Sequence, residues 1–241
     1  MRAMPYTDAT LRLVAPDGQL VHTDRNEIYH QAIAHLTEAE LLEFYRVMTV
    51  VRRFDVEAGN LQRQGQMALW VPSIGQEAAQ VGSGFATRPQ DNIFPAYREH
   101  SVAYLKGLDL LDIIRMLRGI TNGGWDPKTS QNFHLYTLVI GSHTLHATGY
   151  AMGIGFDGKC GSGDLDSDEA VLVYFGDGAT SQGDTNEAMI LPRVTKRRRS
   201  FSCRTITGRF LSLCGFNPEH HCLSAQQASV FRVFKSMAMM C

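Results

Sequence analysis

The residues best suited to chemistry lie in the stretch YFGDGATSQGDTNEA, residues 174–188. Asp177 stands between Gly176 and Gly178, directly after the apolar run AVLVYF. A carboxylate is a hard oxygen ligand for Mg²⁺ or Ca²⁺, and Mg²⁺ usually also binds phosphates and waters. Glycines let a backbone approach a phosphate closely. By itself the tripeptide favours a simpler interpretation, a β-turn that leaves a buried strand.

The surrounding elements would put this turn at the edge of a sheet. AVLVYF is a continuous apolar run of strand length, which is typical of a parallel strand buried on both faces. The carboxyl ends of such strands are where α/β proteins bind ligands. Strands that alternate with helices favour an α/β fold with a parallel sheet flanked by helices. Helices are predicted within residues 36–65, 74–86, 108–119 and 143–156, and from about residue 185.

Local signals mark the ends of several of these helices. Thr37 followed by Glu40 forms a capping box, and Leu41, Phe44, Tyr45, Met48 and Val51 recur at helical spacing up to Gly65. Asp109 is a candidate N-cap, and Asp184 with Glu187 indicates another capping box.

Several separate blocks resemble one family in order and spacing. They include Gly75-Gln76-Glu77-Ala78, the pair Tyr97-Arg98, VIGSHTLHATGYAMGIGF and YFGDGATSQGDTNEA. Together residues 38–190 resemble the α subunits of thiamin diphosphate-dependent 2-oxo acid dehydrogenase E1 components, of the pyruvate and branched-chain types. The resemblance implies the thiamin diphosphate-binding α/β fold, here incomplete. The first and second blocks argue against a transketolase-like enzyme.

The resemblance also implies a cofactor site. Its residues would be Tyr97, Arg98, Ile140, Gly176, Asp177, Gly178 and Ala179. Tyr97 and Arg98 would hold the diphosphate, since a guanidinium matches phosphate oxygens. Asp177 would bind Mg²⁺, and Gly178 and Ala179 would offer backbone amides. Ile140 would lie near the bend between the two rings of thiamin, although a core isoleucine explains it equally well.

The activity and partners are implied in the same way. The thiazolium ylide would attack the keto carbon of a 2-oxo acid, CO₂ would leave, and the acyl unit would pass to a lipoyl group on E2. The enzyme would be an α₂β₂ assembly, with the cofactor at the interface and the activating glutamate on the β subunit. Glu77 is therefore expected at a helix start instead. Pyruvate and branched-chain acids both remain open as substrates, and Trp70 is a candidate for the substrate pocket.

Four histidines are candidates for stabilising charge during catalysis, and the sequence does not choose among them. They are His100, His134, His143 and His146. His143 and His146 are three residues apart on one predicted helix, so they could also form a metal pair. For each histidine a buried structural role is the more common outcome. The catalytic residue is therefore unknown at this level.

Composition divides the chain near Ile190. Residues 1–36 look like an extended N-terminal arm, residues 37–190 carry the resemblance, and residues 191–241 form a basic tail. Net charge is −9 over residues 1–190 and +8 over residues 191–241, which contain a single acid, Glu219, and four of the five cysteines. The tail lacks paired Cys-x₂₋₄-Cys spacing, which argues against zinc. We expect a cytoplasmic protein with reduced thiols that contacts neither membrane nor nucleic acid.

The tail admits two interpretations. In one, Lys196–Arg199 is a nucleic-acid-binding patch on a non-catalytic α/β scaffold. In the other, the reading frame has shifted near Ile190. Synonymous codons exist that encode AACYQTPQVFFLQNNHWAISVPV in the neighbouring frame, with the two asparagines at the Arg204/Thr205 and Thr205/Ile206 junctions. The family places a metal-binding Asn-Asn pair there. We therefore expect a poorly ordered, out-of-frame tail, and a chain that binds the cofactor poorly and is inactive alone.

Overall fold

The computed structural model describes residues 13–15, 17–24, 26–121, 123–194, 202–206 and 210–214. Its helices are α1 Glu27–Ile33, α2 Glu38–Arg63, α3 Glu77–Phe85, α4 His100–Leu105, α5 Leu110–Leu117, α6 His143–Phe156 and α7 Gly183–Val194. Its strands are β1 Asn92–Phe94, β2 Val171–Phe175, β3 Ser202–Ile206 and β4 Phe210–Cys214. Two 3₁₀ helices span Pro127–Ser130 and Asp177–Ser181.

The described strands form a single sheet with the order β1-β2-β4-β3. β1 pairs parallel to β2, with Ile93 opposite Leu172. This confirms the α/β fold, although the three-residue β1 is too short for its pattern to show in the sequence. β4 pairs antiparallel to β2 and to β3. Since β3 and β4 are separated by only residues 207–209, they form a hairpin, which requires antiparallel pairing.

The hairpin and the end of α7 are the described portion of the predicted tail. The basic run Lys196–Arg199 and residues 215–241 lie outside the described residues. The expected disorder of the tail and its reading frame therefore stay predictions.

The long helix α2 begins where the capping box predicts. The Thr37 hydroxyl accepts from the Glu40 amide at 3.3 Å, and the Thr37 amide donates to the Glu40 carboxylate at 2.8 Å. The face it buries agrees only in part with the predicted one, because Val51 is buried as expected but Tyr45 is not. Tyr45 is 68% exposed, whereas Val47 and Val51 pack on α3. Helical spacing alone does not distinguish between two neighbouring faces of α2. Packing against α3 determines which of them is buried.

Other local predictions have mixed outcomes. Asp109 caps α5 by accepting from the Leu111 amide at 2.9 Å, as predicted. Asp184 was expected as the N-cap of a helix from about Thr185, which is wrong, because α7 begins at Gly183 and contains Asp184 in its first turn. The N-terminal arm is not wholly extended, since it contains the seven-residue helix α1.

The two faces of β2 enter different parts of the core. Leu172 and Tyr174 pack with residues of α2, α4 and α5, whereas Val173 and Phe175 pack with residues of α6. This alternation follows from the two-residue repeat of a strand. Consequently the carboxyl end of β2, where Gly176 follows, lies between two packed layers. Within the described ranges, no helix combines the length and apolar character needed to cross a membrane.

Candidate functional site

A cavity of about 330 Å³ opens at the carboxyl end of β2. Three segments contribute to its wall: the one after β1, the one at the start of α6, and the one at the end of β2 and just beyond it. Their lining residues are Ala96, Tyr97, Arg98 and Glu99; Ile140, Gly141 and His143; and Phe175, Gly176, Gly178 and Ala179. Gln76, just before α3, completes it. The predicted residues Tyr97, Arg98, Ile140, Gly176, Gly178 and Ala179 all line this one cavity.

Arg98 places a cation in the wall, and several contacts hold it. Its Nη1 donates to the Pro72 carbonyl at 2.6 Å, and its guanidinium carbon lies 5.5 Å from the Tyr97 ring centroid. The Gln80 side-chain amide donates to the Arg98 carbonyl at 2.9 Å. A half-buried guanidinium held in this way keeps donors free for a second acceptor, because it has five N–H groups.

The segment after β2 gives the cavity an open backbone surface. Gly176 precedes the 3₁₀ helix, and the Ala179 amide donates to the Gly176 carbonyl at 3.0 Å. A Cβ atom on Gly178 would have no neighbour within 4 Å. The space above this glycine is therefore available to a ligand. Asp177 lies in this segment by its backbone, and its side chain is outside the described residues.

The segment before α6 forms the opposite wall. Ile140 is 48% exposed, so the interpretation as a core isoleucine is wrong. Gly141 follows with φ of +86°, and a Cβ atom there would lie 2.8 Å from the Thr185 hydroxyl. Glycine is needed at this position both for its backbone conformation and for its close approach to α7.

Of the four candidate histidines, the structure places His143 alone in the cavity wall. His146 is exposed on α6, and His134 stacks on Phe94 with ring centroids 3.9 Å apart. His100 is fully buried, and burial lowers its pKa to about 4. No group of three or more His, Cys, Asp or Glu residues that could hold a metal ion occurs in the described part of the chain.

The tautomer of His143 follows from its one hydrogen bond. Its Nε2 lies 2.7 Å from the Tyr174 carbonyl, which can only accept, so Nε2 carries the proton. Burial lowers the pKa of His143, which keeps the ring neutral near pH 7. Its buried Nδ1 is then an acceptor, and no protein group bonds to it. Such an orphaned polar atom in a pocket wall calls for an explanation.

Glu99 is a pocket residue that the sequence analysis missed. Its carboxyl is 1% exposed and accepts hydrogen bonds from the Ala96 amide at 2.8 Å and the Arg98 amide at 3.2 Å. Burial raises the pKa of Glu99 to about 7. Its position next to Arg98 was a signal that could have drawn attention to it.

Two further residues from the sequence analysis do not line the cavity. Glu77 begins α3, where it accepts from the Arg52 side chain and from the Gly75 amide. These contacts suit the predicted helix-start role. Trp70 does not line the cavity; it is 5% exposed and donates to Asp55 at 2.6 Å.

The fold and the pocket define an α/β ligand-binding protein. A cation, an open glycine backbone and an apolar edge meet at the carboxyl end of a parallel strand, where such folds bind anionic ligands. A family model described as "Dehydrogenase E1 component" matches residues 45–204. The chain belongs to this family.

Named relatives agree with this assignment. The chain is 39% identical over 179 residues, or 74% of its length, to 3-methyl-2-oxobutanoate dehydrogenase subunit alpha of Mycobacterium tuberculosis, of which the match covers 45%. It is 30% identical over 189 residues, or 78% of its length, to pyruvate dehydrogenase E1 component subunit alpha of Bacillus cereus, of which 47% is covered. The protein of that name from Staphylococcus epidermidis is also 30% identical, over 171 residues, which are 71% of this chain and 44% of the relative.

The chain therefore spans about half the length of the curated relatives it matches. Members of this family depend in general on thiamin diphosphate, and α subunits of these complexes work in general with β subunits and E2.

Proposed function

We propose that the chain acts as part of the α subunit of a 2-oxo acid dehydrogenase E1, and that its pocket binds thiamin diphosphate. The observation that carries this proposal is the convergence of Tyr97 and Arg98 with Ile140 and the 176–179 segment on one cavity. These three segments are far apart in the sequence, and the family resemblance implies the same ligand for each of them.

The residues present fit thiamin diphosphate. Arg98 offers donors for the diphosphate, and the open space at Gly178 lets phosphate oxygens approach the backbone. Ile140 and Phe175 supply apolar contact for the rings. The unpartnered Nδ1 of His143 suits a polar group of the same ligand. Together these features supply both an anion site and an aromatic site in one cavity.

The chain's own contribution is to bind and to orient. Arg98, tied to Pro72 and stacked on Tyr97, fixes where a phosphate can sit. His143 stays neutral and therefore adds no charge to the pocket. When bound, thiamin diphosphate supplies the stabilised carbanion chemistry needed to decarboxylate a 2-oxo acid.

The sequence supports a Mg²⁺ ion as part of the proposed cofactor site. Asp177 lies in the segment proposed to hold the diphosphate and would offer a hard oxygen ligand to Mg²⁺ there. We expect Asp177→Ala to abolish the Mg²⁺ dependence of cofactor binding, measured by calorimetry with and without EDTA. Equal Mg²⁺ dependence in the two proteins would contradict the assignment of Asp177.

The substrate we propose is a 2-oxo acid, with transfer of the acyl group to a lipoyl-bearing E2 and with an E1 β subunit completing an α₂β₂ enzyme. The higher identity to the 3-methyl-2-oxobutanoate enzyme supports testing branched-chain acids first and pyruvate second. The scaffold with a nucleic-acid-binding tail is not favoured by the relatives. A cytoplasmic location stays a prediction.

We also propose that residues from about 191 onward are read out of the family's frame, although the match to the family model extends to residue 204. The change in charge and the family-like sequence in the neighbouring frame support this. Sequencing the locus tests it. The idea is wrong if no family-like coding continues in the neighbouring frame beyond residue 241.

The central experiment titrates the full chain, alone and with purified E1 β subunit, with thiamin diphosphate and Mg²⁺ in a calorimeter. We expect weak binding by this chain, tighter binding by a frame-restored chain, and at least tenfold loss in both on Arg98→Met. CO₂ release from both 2-oxo acids then tests activity. Binding that is unaffected by Arg98→Met would refute the assigned pocket.

A further inference from the structure

Glu99 is a buried carboxyl in the pocket wall to which the proposed function gives no task. It directly follows Arg98 and directly precedes α4. Its side chain does not extend away from the segment that carries it. Instead, one oxygen, Oε2, accepts from the amides of Ala96 and Arg98.

This contact closes the pocket segment on itself. Residues 96, 97, 98 and 99 all line the cavity, and Glu99 bonds to the backbone on both sides of Tyr97. The hydrogen bonds from these two amides to one carboxylate oxygen are charge-assisted, and such bonds are stronger than neutral ones. The conformation of the Tyr97-Arg98 backbone therefore depends on the Glu99 side chain.

A second side chain holds the same segment from outside. Gln80 of α3 donates to the Arg98 carbonyl at 2.9 Å and accepts from the Ser101 amide at 3.1 Å. The amide of Arg98 is thus bound by Glu99 and its carbonyl by Gln80. Gln80 is itself 1% exposed, so both supports are shielded from water.

We propose that Glu99 is a positioning residue for phosphate binding, whose carboxylate holds the Tyr97-Arg98 backbone so that the Arg98 guanidinium stays in the cavity wall. This inference rests on the proposed function, since it takes the anion in the pocket to be a diphosphate. Glu99 itself need not touch the ligand. Its effect passes through Arg98.

The chain offers a matched control for this role. Asp168 is another buried carboxyl, 2% exposed, that accepts from two backbone amides, those of Gly161 and Ser162, each at 3.0 Å. It does not line the cavity. Asp168→Ala removes the same kind of contact as Glu99→Ala but leaves the pocket segment intact.

The test measures binding of inorganic pyrophosphate to the full chain by NMR titration at pH 8, where the Glu99 carboxyl, with a pKa of about 7, is ionised. We expect Glu99→Ala to weaken binding about tenfold and Asp168→Ala to leave it unchanged. Glu99→Gln should lose less, because its one carbonyl oxygen can still accept from both amides. In an Arg98→Met background, Glu99→Ala should cause no further loss.

Two results would overturn the positioning role. One is an unchanged pyrophosphate affinity in Glu99→Ala. The other is a double variant, Glu99→Ala with Arg98→Met, whose loss of binding free energy equals the sum of the losses in the two single variants. Hydrogen exchange at the Ala96 and Arg98 amides tests the clamp without any ligand, and we expect faster exchange in Glu99→Ala only. Unchanged exchange refutes the clamp itself. If the unaltered chain binds no pyrophosphate, the proposed function and the phosphate role fail together, while exchange still decides whether the clamp exists.

Discussion

Replacing Asp55 by alanine should destabilise the chain more than most single substitutions. Asp55 lies in α2, is 2% exposed, and accepts three hydrogen bonds from the segment before α3. The indole of Trp70 donates to it at 2.6 Å, and Ser73 donates from its amide at 2.6 Å and its hydroxyl at 3.1 Å. These bonds tie the loop that supports the pocket to the long helix.

The magnitude follows from what the substitution leaves behind. Alanine removes both acceptor oxygens, and with them all three hydrogen bonds, and leaves two buried N–H groups without a partner, each costing on the order of 1–3 kcal/mol. Since such losses are not additive, we expect a decrease of about 3 kcal/mol in the free energy of unfolding. For a chain of this size that corresponds to a drop of roughly 6–12 °C in Tm. Asp55→Asn keeps one acceptor oxygen and should lose less.

Urea unfolding followed by circular dichroism measures the loss. The control is Glu57→Ala in the same helix, because Glu57 is 48% exposed and its contacts are a surface ion pair with Arg53 and an exposed hydrogen bond from the Asn60 side chain. An exposed pair contributes about 0–1 kcal/mol, so this variant should unfold almost as the unaltered chain does. A cost below about 1 kcal/mol for Asp55→Ala, or equal costs for both variants, would refute the reasoning.

Three further predictions concern glycines and buried charges. Gly178→Ala should leave the free energy of unfolding unchanged, because the added Cβ meets no atom within 4 Å, but it should weaken thiamin diphosphate binding. Gly141→Ala should lower the free energy of unfolding by about 1–3 kcal/mol, because φ is +86° and the added Cβ would lie 2.8 Å from the Thr185 hydroxyl. Urea unfolding and calorimetry of the pair check this, and reversed effects would contradict it. Burial lowers the pKa of Lys106 to about 8, so unfolding free energy should rise with pH between 8 and 10.5, and Lys106→Met should abolish that rise. Burial raises the pKa of Glu99 from 4.5 to about 7, so the free energy of unfolding should fall as pH rises across that window, and Glu99→Gln should remove the fall. For both Lys106 and Glu99, a pH dependence of unfolding that is identical in the variant and the unaltered chain would contradict the prediction.

Helices with signals inside their own sequence were predicted best. The capping box of Thr37 and the N-cap of Asp109 form as expected, because each bond joins residues two or three positions apart. The face that α2 buries was predicted less well. Phe44 and Val51 are buried as the helical repeat predicts, but Leu41 and Tyr45 are exposed, since packing against α3 buries Val47 instead.

The pocket shows the same division. Gly176-Asp177-Gly178 and Tyr97-Arg98 could be singled out because the blocks that contain them resemble the E1 family; by itself the tripeptide favours a β-turn. The sequence could not select His143 among the four histidines, because that choice depends on which ring lies at the carboxyl end of β2.

The sequence by itself determined the family, the α/β class, the capped helices and the segments that could hold a phosphate. Only the tertiary structure decided that Glu99 accepts from the Ala96 and Arg98 amides, that His143 is a neutral acceptor in the cavity wall, and that Trp70 is buried against Asp55 and does not line the cavity. The reason is physical. A residue's chemistry and its local hydrogen bonds are encoded within a few positions of the chain, whereas burial and tautomer depend on which distant segments pack against it.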